Sequence, residues 1–167
     1  MPKLRWLLVL AALLTAVTVS FADDRAKVLG TWKLVSFERE LKATGEKESI
    51  LGKNPTGYAI FTPEGRAIFI LTADGRKAPK TDQDRADLLK SMYAYTGMYR
   101  LEANKLIIKP DVSWNPGWVG TEQERLVNID GERLQIINTS PEKNKAIKYR
   151  PWEIGTLLGL IGFSFCR

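Results

Sequence analysis

From Thr31 onward the chain sets apolar residues in short runs, most of them stopped by Gly, Pro, Asn or Asp. Runs of this length, rich in β-branched and aromatic residues and punctuated by turn residues, predict strands. Thr31 to Glu38 is the first. Leu41 to Lys53 is polar and reads as a loop or a ragged second strand. Gly57 to Phe61 and Arg66 to Leu71 flank Thr62-Pro63-Glu64-Gly65, whose proline and glycine suit a tight reversal, so a hairpin is expected there. Thr96 to Leu101 and Lys105 to Lys109 turn at Glu102-Ala103-Asn104; Glu122 to Ile129 and Arg133 to Asn138 turn at Asp130-Gly131. Val112 to Gly120, rich in Trp, Pro and Gly, predicts a structured crossing or a bulged strand, and Lys145 to Arg150 a further strand.

Helical signals are few. Asp24 to Leu29 suggests a short turn of helix. Thr81 and Asp84 resemble a capping box, and Leu88, Met92 and Tyr95 follow at helical spacing with Leu89 and Tyr93 beside them. One amphipathic helix is expected over Asp82 to Ala94, either as a plug packed on the body or as a lid over a cavity mouth. There is no repeat, no linker and no alternation of helix with strand. The expected fold is therefore all-β: an antiparallel up-and-down barrel of about eight strands with one short α-helix. A barrel is preferred to a sandwich because closure removes exposed strand edges.

Gly30-Thr31-Trp32, opening the first strand, is similar to the G-x-W signature of lipocalins. Gly30 to Glu38 (GTWKLVSFE), Asn54 to Gly65 (NPTGYAIFTPEG), Ala94 to Tyr99 (AYTGMY) and Asn115 to Arg125 (NPGWVGTEQER) follow in order, with Asp130-Gly131 after them. Together they resemble the bacterial lipocalin-like domain family over Leu29 to Ser140. The resemblance implies a calycin-type barrel with Trp32 closing its floor, covered by a basic side chain from a late strand. Arg150 is expected in that place, with Arg125 second. No particular activity is implied. Two stretches depart from the family pattern. Leu106 to Val112 (LIIKPDV) lacks a histidine that relatives often carry, and Pro151 to Arg167 (PWEIGTLLGLIGFSFCR) replaces the usual closing strand.

The two ends set the organisation. Lys3 and Arg5 precede an apolar run from Trp6 to Val19, and Ser20-Phe21-Ala22 offers small residues where a signal peptidase reads. Residues 1–22 are read as a cleaved secretory signal, the alternative being an uncleaved anchor; the run is shorter than a comfortable bilayer span. Residues 23–150 are the expected barrel. Residues 151–167 form an apolar segment, read as a divergent last strand, an interaction tail or a frameshifted end. The protein is accordingly expected to be exported, periplasmic or secreted, with cleavage near Ala22 and no stable membrane span afterwards.

Composition narrows the chemistry. Loss of Lys3 and Arg5 takes the net charge from +6 to +4, since no acid lies in residues 1–22. That modest excess is spread along the chain, so a nucleic-acid partner is not expected. Cys166 is the single cysteine and cannot close an intramolecular disulfide. Histidine is absent, which removes the commonest general base and the commonest transition-metal ligand. No metal site, cofactor or catalytic set is expected. Asp111 is the least unfavourable acid–base candidate, although Pro110 beside it hides its facing. Asn138-Thr139-Ser140 matches a glycosylation acceptor, meaningful only in a eukaryotic secretory host.

Binding residues are read from alternation. Arg125, Val127 and Ile129 share one face of their strand, and the two aliphatics make that face the inner one. An inward Arg125 either anchors the anionic end of an apolar ligand or is a structural plug paired with Asp, Glu or Trp. Trp114 and Trp118 bracket Asn115-Pro116-Gly117 and either line a cavity mouth or fold inward as core. Tyr58, Tyr95 and Tyr99 can offer hydroxyls to a ligand. The expected partner is a small, mainly hydrophobic molecule bound in the barrel. The alternatives are a barrel enzyme of isomerase or cyclase type, and a filled barrel that works as a protein-interaction module.

Overall fold

A computed structural model describes residues 25–41, 44–138 and 159–167. After a helical turn at 25–28 the strands run β1 (Gly30–Leu41), β2 (Lys47–Ser49), β3 (Thr56–Phe61), β4 (Arg66–Thr72), β5 (Met92–Glu102), β6 (Lys105–Ser113), β7 (Gln123–Asp130), β8 (Arg133–Asn138) and β9 (Gly159–Cys166). The helix α1 (Asp82–Lys90) precedes β5, and a 3-10 turn (Pro116–Trp118) follows β6. Every described pairing is antiparallel, and β9 bonds to both β8 and β1. The result is a closed eight-stranded up-and-down barrel, with β2 added on the edge of β1.

Period-two alternation decides what the barrel buries. Ala59 and Phe61 of β3, Ala67, Phe69 and Leu71 of β4, Leu134 and Ile136 of β8 and Phe165 of β9 are buried, while intervening residues face outward. Two bulges interrupt the pattern. In β1 the pairing with β9 jumps between Leu34 and Ser36, leaving Val35 outside and turning Phe37 back in. In β6 the jump opposite Thr96 and Gly97 puts Asp111 and Val112 consecutively on the outer side. Gly97 is required at that bulge: a Cβ there would stand 2.1 Å from the Lys109 carbonyl oxygen.

The helix is shorter than the sequence suggests. Its start is as expected: the Thr81 hydroxyl accepts from the Asp84 N–H (3.1 Å), and the Asp84 carboxylate accepts from the Thr81 N–H (2.9 Å). It stops at Lys90, and Met92 to Ala94 belong to β5, where Leu71 pairs with Tyr93 and Phe69 with Tyr95. Tyr93, Tyr95, Gly97 and Tyr99 also recur with a strand's period. Ladder bonds to β4 decide between the two periods. No residue of α1 is buried.

The segment after Pro151 contains β9, whose Phe163 and Phe165 face the interior. A closing strand is therefore formed by part of the segment set apart from the barrel in sequence. Residues 1–22 and the strand expected at Lys145 to Arg150 lie outside the described residues. Among those described, no helix is long and apolar enough to cross a membrane.

Candidate functional site

The barrel has two unlike ends. At the floor, Trp32 is fully buried and its indole donates to the Val28 carbonyl at 2.7 Å. Arg167, just past β9, lies 4.4 Å from the Trp32 ring centre and donates to the carbonyls of Lys27 (3.1 Å) and Leu29. This cation holds the place anticipated for Arg150, which lies outside the described residues, and Arg125 points elsewhere. Tyr99 belongs to this lower half. Its ring stands edge-on to Phe61 at 5.2 Å, and its hydroxyl makes a long 3.4 Å contact to the Thr62 carbonyl.

The opposite end is built of aromatic rings. Tyr95 stacks on Phe69 at 4.8 Å and meets Trp118 edge-on at 5.4 Å. Trp118 packs against Trp114 at 4.7 Å, and Trp114 against Tyr93 at 4.9 Å. Tyr93 then meets Phe37 (5.1 Å), Phe37 stacks on Phe163 (4.1 Å), and Phe163 leads through Phe165 back to Phe69. The rings form a closed circuit. Trp114 and Trp118 are held by the turn between β6 and β7, where the Asn115 side chain accepts from the Gly117 N–H at 3.1 Å. Both indoles are part-buried, so they are neither pure core nor free surface.

Gln123 and Arg125 are the buried polar side chains among the described residues. Both point inward from the start of β7, followed by Val127. Arg125 is 6% exposed, and none of the described ion pairs includes it. Its Nη1 donates to the Glu124 carbonyl (2.8 Å) and its Nη2 to the Gln123 side-chain oxygen (3.2 Å), while Nε is buried without a partner. Burial pulls the guanidinium below its ordinary pKa. Burial likewise pushes the Tyr95 phenol up to about 12, opposed by the Arg125 cation, which is near enough to act on it. A second cation, Arg39 of β1, leaves its own Nε buried without a partner. It pairs with Glu48 of β2 and opposes the burial that raises the Tyr93 phenol.

Other expected site residues are elsewhere. Tyr58 is 46% exposed on the outer wall, paired across strands with Ile70 and Lys33, because Gly57 and Ala59 take the inward positions. It offers nothing to the interior. Asp111 also stands outside, where its two carboxylate oxygens accept from Arg66 at 3.0 and 2.8 Å. Arg66 holds its carboxyl below the usual carboxylate range. Gln123, Arg39, Tyr93, Phe37 and Phe163 join the site without having been expected there. Gln123 is readable in sequence, being two residues before Arg125 on one strand face. The others need the bulge in β1, the true start of β5 and the course of β9. No group of three metal-ligating side chains gathers among the described residues.

Surface clefts border the barrel among the described residues. One of about 150 Å³ crosses the outer wall at Ser36, Gln135 and Gly162. One of about 470 Å³ lies between α1 and the loop after β4, and one of about 300 Å³ borders the β5–β6 turn and the end of β7. Arg125 and Trp118 line none of them.

Residues 29–156 match the model of the lipocalin-like domain family. The chain belongs to that family. A 4'-hydroxy-3'-methoxypropiophenone carrier protein of Aspergillus oryzae is 28% identical over 78 residues, 42% of this chain and 70% of its own. In this lipocalin-like barrel the polar interior is thus a desolvated cation and an amide beneath a wall of rings.

Proposed function

We propose that this protein is a carrier for a small, mainly hydrophobic ligand, bound on the aromatic side of the barrel with an anionic end on Arg125. The supporting observation is the buried guanidinium with an orphaned Nε and no carboxylate paired to it among the described residues. A buried cation of this kind is expensive to keep and is retained most readily where a ligand completes it. The Aspergillus oryzae relative is named as a carrier of an aryl ketone, which agrees with a ligand of this size. The protein acts after export, residues 1–22 being removed near Ala22. The mass of the chain recovered from its host tests that step: loss of residues 1–22 supports it, and an intact amino-terminal segment opposes it.

Binding is tested by titrating the purified protein with three probes and reading tryptophan fluorescence. The probes are dodecanoate, 8-anilinonaphthalene-1-sulfonate and 4'-hydroxy-3'-methoxypropiophenone. Saturable 1:1 binding of an anionic probe, weakened at least tenfold by Arg125→Gln, is expected. Absence of binding by all three would overturn the reading, as would binding that ignores Arg125.

A further inference from the structure

The guanidinium of Arg125 offers a rigid edge made of Nε–H and the adjacent Nη2–H, whose parallel donors match two oxygens of one oxyanion. That edge is half occupied. Gln123 takes Nη2 at 3.2 Å, and Nε has nothing. Nη1 is engaged separately by the Glu124 carbonyl, so the edge can be filled without disturbing it.

Gln123 also reaches the other way. Its Nε2 donates to the Thr121 hydroxyl at 2.7 Å, and that hydroxyl donates to the Trp118 carbonyl at 2.8 Å. One amide therefore ties Arg125 to the turn that holds Trp118. The turn stands outside the ladder: β6 and β7 pair from Lys105–Leu126 to Ile108–Gln123, and beyond that point the wall is the segment from Trp114 to Thr121. Trp118 meets the Tyr95 ring edge-to-face.

We propose that the site takes an aryl oxyanion, a flat aromatic ring bearing a carboxylate or sulfonate. Its oxygens occupy the Nε–Nη2 edge of Arg125 and displace the Gln123 oxygen, and its ring replaces the Trp118 indole on Tyr95. Displacement of the Gln123 oxygen breaks the link between the guanidinium and the Trp118 turn while the Gln123–Thr121 bond is kept, which couples capture of the charge to movement at the mouth. Rings recognise a ring through edge and face geometry, whereas an alkyl chain offers neither. This assignment rests on the carrier reading and names its ligand class.

The test uses the mature protein with 8-anilinonaphthalene-1-sulfonate as probe and dodecanoate as the aliphatic comparison. The aryl sulfonate is expected to bind at least tenfold tighter than dodecanoate. Gln123→Glu places an internal carboxylate on the same edge, so it should weaken the aryl sulfonate at least tenfold without lowering the melting temperature. Trp118→Ala removes the resident ring and should tighten the probe about threefold or more. Tighter binding of dodecanoate, still dependent on Arg125, would overturn the aryl assignment and leave the carrier reading standing. An unchanged affinity in Gln123→Glu would overturn the role given to the edge. No binding of either probe would overturn both.

Discussion

Replacing Arg125 by methionine separates a binding group from a structural plug. The side chain loses two hydrogen bonds, to the Glu124 carbonyl and to Gln123. Bonds that involve a charged group are worth about 1.5–3 kcal/mol each. Against this, burial of the guanidinium costs several kcal/mol, roughly, and no carboxylate among the described residues offsets it. Methionine fills a similar volume with polarizable, flexible atoms near Tyr95. The buried charge wins the comparison, because Gln123 keeps its bond to Thr121 when Arg125 is removed. Arg125→Met should therefore stabilise the ligand-free protein by about 1–3 kcal/mol. On a domain of this size that is a rise of about 3 °C in melting temperature per kcal/mol. Urea unfolding followed by far-ultraviolet circular dichroism gives the free energy directly. A loss of 1 kcal/mol or more would refute the reasoning and make Arg125 a stabilising plug.

Three further outcomes follow from other parts of the barrel. Tyr95 is neutral in its buried site, with a phenol pushed up to about 12 against an ordinary value of 10. A raised value favours the native state fully below pH 10, and that stability fades as pH climbs through 12, by about 3 kcal/mol in all; Tyr95→Phe should flatten this part of a denaturation series, and an unchanged slope would count against the buried phenol. Arg167→Ala removes the cation over Trp32 and should cost about 1–2 kcal/mol, visible in urea unfolding, whereas a neutral result would dismiss the floor contact. Gly97→Ala sets a methyl against the Lys109 carbonyl and should lower the melting temperature by several degrees, with a cost of about 2 kcal/mol or more; an unperturbed variant would mean the bulge relaxes.

The residues legible in sequence are those whose facing depends on one strand alone. The Thr62 to Gly65 hairpin is set by local turn chemistry, and the inward Arg125 by the aliphatics two and four residues later. Facing is lost where a bulge changes the count. Asp111 sits in the bulge of β6, so Pro110 is inside and both following residues are outside. Tyr58 departs from expectation for another reason: its inward neighbours are Gly57 and Ala59, small residues that strand alternation by hydrophobicity undervalues. Gly57 is small because the β4 backbone lies against it, where any added methyl would collide with the Ile70 carbonyl oxygen. Tyr95 belongs both to the helical spacing of Leu88, Met92 and Tyr95 and to the two-residue spacing of Tyr93, Tyr95, Gly97 and Tyr99, and pairing with β4 decides between them. The aromatic circuit joins β1, β4, β5, β9 and the Trp114 turn, so no single stretch announces it. The basic cover of Trp32 is foreseeable as a type of contact, but its residue depends on where the last strand ends.

The carrier reading is tested most directly by native mass spectrometry of the protein purified from its own host without detergent. A stoichiometric extra mass is predicted, lost on denaturation and missing from the Arg125→Met variant. A mass equal to the bare polypeptide in the unaltered protein, or an adduct that survives in Arg125→Met, would contradict it.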